Sequence, residues 1–65
     1  MKQVDEMPTS GQFVAVWELH GSKITSETLM WDDCGSLIVI MPDGYHEEAD
    51  PAFYDDIRSQ YFIAD

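Results

Sequence analysis

The apolar run from Leu37 to Met41 is the feature that most constrains the fold, and three of its five residues are β-branched. Gly35-Ser36 precedes this run, and Pro42-Asp43-Gly44 follows it. A short apolar run between turn-forming residues is typical of a strand that is buried on both faces. We therefore expect this strand to lie at the centre of a sheet.

Two further strands are predicted before this run. From Gln12 to His20, apolar residues alternate with a period of two, which places Phe13, Ala15, Trp17 and Leu19 on one face of a strand. Gly21-Ser22 is a candidate hairpin turn. The segment from Lys23 to Trp31 also tolerates a helix, but the hairpin favours a strand. Tyr45 to Glu47 is a candidate short strand at a sheet edge.

A helix is predicted from Pro51 to Phe62. Asp50 suits the N-cap, and a proline suits the first helical position. Phe53, Ile57 and Tyr61 recur at a spacing of four residues, so we expect this stripe to pack on the sheet.

These elements predict one α+β domain over residues 1–65, with residues 1–10 as a loose lead-in and the helix over residues 51–62. We expect a small antiparallel sheet of three or four strands, with a C-terminal helix packed on one face. The expected core consists of Phe13, Ala15, Trp17, Leu19, Ile24, Leu37, Ile38, Val39, Ile40, Phe53, Ile57 and Tyr61.

The net charge is extreme, because 13 acidic residues face three basic ones and give −10. Residues 1–31 carry four acids and two lysines, net −2, whereas residues 32–65 carry nine acids and one arginine, net −8. Such a charge opposes direct binding to nucleic acid or to anionic lipid, and it favours a basic protein partner. No apolar run is long enough to span a membrane, and we expect no secretory signal.

No pattern in the sequence indicates catalysis or a bound metal. Cys34 is the only cysteine, and with His20 and His46 it lacks the spacing of a nucleophile–base pair or of a zinc site. The acidic loops also lack the ligand alternation of a calcium site. We therefore expect a protein that is not an enzyme and that has no cofactor, in a reducing compartment such as the bacterial cytoplasm.

The acidic residues of the second half are the candidate binding site. They lie in two loops, before the predicted helix and on its outer face: Asp32, Asp33, Asp43, Glu47, Glu48, Asp50, Asp55 and Asp56. A solvated charged surface is the alternative interpretation. A compact chain of this length is roughly 28 Å wide, and duplex DNA presents on the order of 16 phosphates over that distance. Thirteen carboxylates approach this density, and carboxylates offer Arg and Lys acceptors like those of phosphate.

With these acids, its small size and its single thiol, the chain resembles the acidic single-domain inhibitors that bacteriophages encode against host defence, the anti-CRISPR proteins in particular. The resemblance covers the whole chain. In size and charge it is similar to inhibitors of type I systems, type I-C among them, some of which block the subunit that reads the protospacer-adjacent motif.

The resemblance implies a non-catalytic inhibitor that mimics DNA and blocks a basic nucleic-acid-binding site of a CRISPR surveillance complex in the bacterial host. An acidic adaptor or antitoxin-like module, which binds a basic protein without competing with DNA, is the alternative. One or two exposed tyrosines, Tyr45 or Tyr54, are candidate anchors of such an interface. The sequence favours a monomer over a dimer.

Overall fold

The computed structural model describes residues 1–19, 21 and 23–64, and shows mostly sheet. Six strands and one short helix follow one another along the chain: β1 (Lys2–Val4), β2 (Gln12–Leu19), β3 (Lys23–Trp31), β4 (Leu37–Ile40), β5 (His46–Glu48), α1 (Pro51–Asp56) and β6 (Gln60–Ile63). The strands form one sheet in the order β1-β6-β2-β3-β4-β5, and all paired neighbours are antiparallel. The α+β class therefore applies only loosely, and the sheet is larger than the three or four strands expected.

The β2–β3 hairpin forms the centre of the sheet. Its register pairs eight residues of each strand, from Gln12 with Met30 to Leu19 with Lys23, so both predicted strands are confirmed. Gly21 adopts a positive φ of 91° between them. The other residue of the predicted turn, Ser22, lies outside the described residues, as does His20.

One face of the sheet carries the core. It consists of Phe13, Ala15, Trp17, Leu29, Leu37, Val39 and Tyr61, together with Tyr54 of α1. The cross-strand register aligns these residues in rows, for example Phe13 beside Leu29 and Leu29 beside Val39. Because α1 contributes Tyr54 to this cluster, we call this face the helix face.

The opposite face, which we call the open face, carries the alternate residues of the same strands. Val14, Val16, Thr28, Met30, Ile38, Ile40 and Phe62 are half-buried there by their neighbours in the sheet. None of them belongs to the core cluster or to the residues packed against it.

The prediction that the strand from Leu37 lies at the centre of the sheet and is buried on both faces is therefore wrong. Strand β4 lies second from an edge, and only Leu37 and Val39 are buried, whereas Ile38 and Ile40 lie on the open face. The longer hairpin takes the centre, because sequential antiparallel strands joined by a tight turn pair along their whole length. The predicted core is also wrong at Leu19 and Ile24, which are 36% and 64% exposed at the hairpin end.

The start of α1 is as predicted. The Asp50 carboxylate accepts a hydrogen bond from the Ala52 amide at 3.0 Å, and Pro51 occupies the first turn. The predicted end at Phe62 is wrong, because the helix ends at Asp56 and the chain continues into β6.

A Schellman motif ends the helix. The Arg58 amide donates to the Asp55 carbonyl and the Ser59 amide to the Tyr54 carbonyl, with Arg58 at a φ of +56°. Beyond this reversal, Tyr61 pairs with Ala15 in the sheet. Phe53, Ile57 and Tyr61 therefore lie in the helix, at its C-cap and in β6, and their spacing of four residues does not form a helical stripe.

The short helix buries a different side chain from the one predicted. Tyr54 is buried, whereas Phe53 is 48% exposed. The two rings lie edge-to-face with each other and with Trp17, at centroid distances of 5.0 to 6.0 Å. Phe53 therefore shields the indole from outside. The predicted lead-in is also more ordered than expected, because β1 pairs with β6.

We expect Arg58→Gly to be more stable than Arg58→Ala by about 1 kcal/mol, because the left-handed conformation is costly for a residue with a Cβ atom. Both variants remove the same charge, so their difference isolates the backbone effect. Urea unfolding of the two variants measures it. Equal stabilities would show that this position is not strained.

Candidate partner-binding surface

Six of the eight predicted acids lie around the β4–β5 edge of the sheet: Asp32, Asp33, Asp43, Glu47, Glu48 and Asp50. We call this set the acidic ridge. The β3–β4 and β4–β5 turns lie at opposite ends of β4, and β5 runs antiparallel to it. The Ala49 amide donates to the Leu37 carbonyl, which brings Asp50 to the end of the sheet that carries the β3–β4 turn.

Three carboxylates of the ridge are held in place by backbone amides. Asp32 accepts hydrogen bonds from the Cys34 and Ser36 amides at 2.9 and 2.8 Å. Asp43 accepts from the Tyr45 amide at 3.0 Å, and Asp50 is the helix N-cap. An ionised carboxylate has about four acceptor sites, so each retains acceptor capacity for a partner. These acids therefore stabilise the turns and the helix start, and their remaining acceptor sites can still bind a basic side chain.

The two glutamates of β5 are exposed on the outermost strand. Glu47 pairs with Val39 and Glu48 with Ile38, so their side chains leave the edge on opposite faces. Charged residues on an edge strand also prevent pairing with other chains.

Four carboxylates of the ridge belong to one short segment. Extended chain from Asp43 to Asp50 reaches at most about 25 Å, and Asp43, Glu47, Glu48 and Asp50 lie within it. One strand of B-DNA carries a phosphate every 3.4 Å or so, hence about seven phosphates over that length, so the segment carries roughly half the charge of one DNA strand. The other two carboxylates of the ridge, those of Asp32 and Asp33, lie in the β3–β4 turn.

The remaining two predicted acids belong to α1 and lie apart from the ridge. Asp56 is exposed, whereas Asp55 accepts a hydrogen bond from the Tyr61 hydroxyl at 2.8 Å. Asp55 thus satisfies a buried tyrosine and is removed from the core of the candidate site.

Glu27 was missed and has a similar role. Its carboxylate accepts a hydrogen bond from the Tyr54 hydroxyl at 2.8 Å. The sequence contained a signal for this role, because Glu27 is two residues from Leu29 on β3 and therefore lies on the same face of the sheet. Burial of Tyr54 also corrects the expectation that this tyrosine anchors a partner, whereas Tyr45, 62% exposed beside Asp43, remains a candidate.

A second acidic group was also missed. Asp5 and Glu6 follow β1 and line a shallow groove with Asp55, Arg58 and Tyr61. Asp5 and Glu6 belong to the first half of the sequence, where the net charge is only −2, so the charge distribution did not indicate an acidic group there. They lie beside the β1 edge, opposite the ridge.

Catalytic and metal-binding groups are sparse in the described part of the chain. No group of three or more His, Cys, Asp or Glu residues is arranged to hold a metal ion there. Cys34 is exposed in the β3–β4 turn, and His46 lies on β5. No helix among the described residues is long and apolar enough to cross a membrane.

Comparison with known proteins found no relative of this chain. No protein family matches the sequence, and no curated protein or solved structure is similar enough to count as a match.

We expect Asp55→Ala to lower the free energy of unfolding by about 1–2 kcal/mol, because the Tyr61 hydroxyl loses its partner at a buried site. Asp56→Ala is the matched control: it removes the same charge from the same helix and should change stability by less than about 0.5 kcal/mol. Urea unfolding distinguishes them, and equal losses would contradict the role assigned to Asp55.

The two buried tyrosines predict a loss of stability at alkaline pH. Burial raises the pKa of Tyr54 above its ordinary value of about 10, as does the Glu27 carboxylate, which accepts a hydrogen bond from the Tyr54 hydroxyl. Burial and the hydrogen bond to Asp55 raise the pKa of Tyr61 likewise. Unfolding lowers both pKa values, so the unfolded chain binds fewer protons above about pH 10 and stability falls as pH rises.

Replacing both tyrosines, in Tyr54→Phe/Tyr61→Phe, should therefore flatten the decline in unfolding free energy between about pH 9 and 11. Tyr45→Phe, at an exposed position, is the control and should keep the decline of the unmodified protein. Urea titrations at several pH values measure the slopes. An unchanged slope in the double variant would exclude these phenols as its source.

Proposed function

We propose that this protein is a non-catalytic inhibitor whose acidic ridge occupies a basic nucleic-acid-binding site of a bacterial defence complex, of the type I CRISPR class, and competes with DNA. The observation that carries the proposal is the set of six carboxylates around one sheet edge, three of which are fixed by backbone amides. The proposed site of action is the cytoplasm of the bacterial host.

Preorganisation of the ridge supports this proposal. Asp32, Asp43 and Asp50 are each fixed by backbone amides in turns or at the helix start. A partner's arginines would therefore meet acceptors that have already lost their conformational freedom, which lowers the entropic cost of binding. Flexible surface acids lack this advantage.

The net charge supports the kinetics that an inhibitor needs. A charge of −10 on a body with principal extents of 36, 23 and 21 Å produces a strong negative field. Such a field accelerates encounter with a basic channel and repels nucleic acid itself. The partner is accordingly a basic protein subunit, and direct binding to DNA is not proposed.

The test is a competition assay with a purified type I surveillance complex and a fluorescent target duplex that carries the protospacer-adjacent motif. The unmodified protein should displace the duplex. Glu47→Lys/Glu48→Lys should weaken displacement by at least about 100-fold, since two charge pairs become repulsive.

Asp5→Lys/Glu6→Lys is the matched control, because it makes the same change in net charge at the opposite edge of the sheet. It should weaken displacement less than about fivefold, through the general field alone. Thermal unfolding establishes that both variants are folded. Full inhibition by the ridge variant, or equal losses in both, would show that the ridge is not the binding surface.

The adaptor or antitoxin-like module is the other candidate, and the same assay separates it. An adaptor would bind a basic subunit while the duplex stays bound. Such a ternary complex, detected by native mass spectrometry, would contradict competition with DNA.

A further inference from the structure

The β2–β3 hairpin extends beyond the strands on either side of it. Strand β2 pairs with β6 only over residues 14–16, and β3 pairs with β4 only over residues 28–31. Among the residues that the structure describes, Lys23 to Glu27 therefore pair with β2 on one side and with no strand on the other. We call this segment the β3 edge.

The end of the β4 ladder leaves backbone groups of the β3 edge without partners. The Trp31 amide donates to the Gly11 carbonyl, and backbone groups alternate in direction along a strand, so the even-numbered residues of β3 point theirs away from β2. In the continued register Pro42 would stand opposite Ser26, but a proline has no amide to donate. The amides and carbonyls of Ile24 and Ser26 consequently have no backbone partner within the described ranges.

The β3 edge is also accessible to another chain. Ile24 is 64% exposed, and Ser26 is exposed beside it. A groove that is lined by Ser26 and Glu27 as well as by Met41 and Pro42 separates the edge from the β4–β5 turn. An accessible strand edge with unpaired amides and carbonyls is a template for pairing with another strand.

We propose that the β3 edges of two copies of this chain pair antiparallel about a two-fold axis and join the two sheets into one. The inference does not rest on the proposed function. The unpaired groups select the register, in which Ile24 of one copy exchanges both backbone hydrogen bonds with Ser26 of the other. The axis then passes beside Thr25, and the two copies share four backbone hydrogen bonds.

The same register is complementary in charge. Lys23, which is exposed, stands opposite Glu27 of the second copy, and the two-fold axis makes this pair twice. Opposite charges that face each other across two antiparallel strands stabilise the pairing. One oxygen of Glu27 accepts a hydrogen bond from the Tyr54 hydroxyl, which leaves the other oxygen for the lysine. At the axis Thr25 meets its own counterpart, and threonine pairs are also favourable.

Other pairings between two copies are less favourable. A shift of the register by two residues in one direction would place Ile24 opposite Thr28, which is already paired with β4. A shift in the other direction would separate Lys23 from Glu27 of the second copy. Self-pairing of the β5 edge would align its two glutamates with each other, and like charges directly opposite are destabilising.

Sedimentation equilibrium from about 50 µM to about 2 mM is the first test. The paired segment is only about 17 Å long, so the interface is small and we expect a weak dimer with a Kd of roughly 0.1–1 mM. A monomer throughout, with the edge left for a strand of another protein, would overturn the inference. Growth beyond a dimer would also overturn it, because a two-fold contact is closed.

Lys23→Glu tests the charge complementarity. It places glutamates opposite each other at both ends of the paired segment, so the Kd of the dimer should rise at least about tenfold. Lys2→Glu is the matched control, because it makes the same change in net charge on β1, outside the interface. It should raise the Kd less than about threefold. Equal effects of the two variants would show that net charge, and not the β3 edge, governs association.

Ser26→Pro tests the backbone pairing. It removes an amide that points away from β2, so the β2–β3 ladder keeps its hydrogen bonds while the dimer should be lost over the whole concentration range. Ser26→Ala retains the amide and should change the Kd less than about threefold. Near-ultraviolet circular dichroism of the aromatic cluster reports folding, and Lys23→Glu applies the same test with the backbone intact. A dimer that persists in folded Ser26→Pro would overturn the inference.

Discussion

Every buried side chain in the described part of the chain belongs to one cluster, formed by the helix face of the sheet and by Tyr54 of α1, and the rest of the structure depends on this cluster. The β2–β3 hairpin supplies half of the core with Phe13, Ala15, Trp17 and Leu29. The helix adds Tyr54, whose ring packs against the Trp17 indole. Without a disulfide, a chain of this length has little other burial to offset its conformational entropy.

This single core explains why acidic residues do structural work. The Tyr54 and Tyr61 hydroxyls would be unpaired inside the core, and Glu27 and Asp55 satisfy them. Asp32, Asp43 and Asp50 do the same for amides in turns and at the helix start. The acidic residues therefore fall into two groups, those that accept hydrogen bonds within the protein and those that do not. The acids without such a role are divided between the two edges of the sheet, with Glu47 and Glu48 on β5 and Asp5 and Glu6 after β1.

The ridge and the open face divide the outer surface between two kinds of chemistry. The ridge is charged, exposed and partly fixed in place, which suits a basic partner. The open face carries no charge at its centre, where apolar and uncharged polar side chains lie side by side.

Local patterns predicted the parts of the fold that local chemistry controls. Alternation in β2, turn residues after β4, and the Asp50-Pro51 helix start were all read correctly, because each depends on neighbouring residues alone. The burial of β4 and the length of the helix were predicted wrongly. Strand order determines how many faces of a strand are covered. The apolar spacing from Phe53 to Tyr61 is compatible with a helix, and only the pairing of β6 with β2 shows that this segment ends in a strand.

The sequence by itself determined the charge, the acidic second half, the hairpin and the helix start, since these follow from composition and from short-range preferences. Only the tertiary structure decided which acids lie near one another. It placed six of them around one edge, paired Asp55 and Glu27 with buried tyrosines, and left the open face outside the core. The physical reason is that pairing between distant strands such as β1 and β6 sets which side chains become neighbours, and no local pattern encodes that choice.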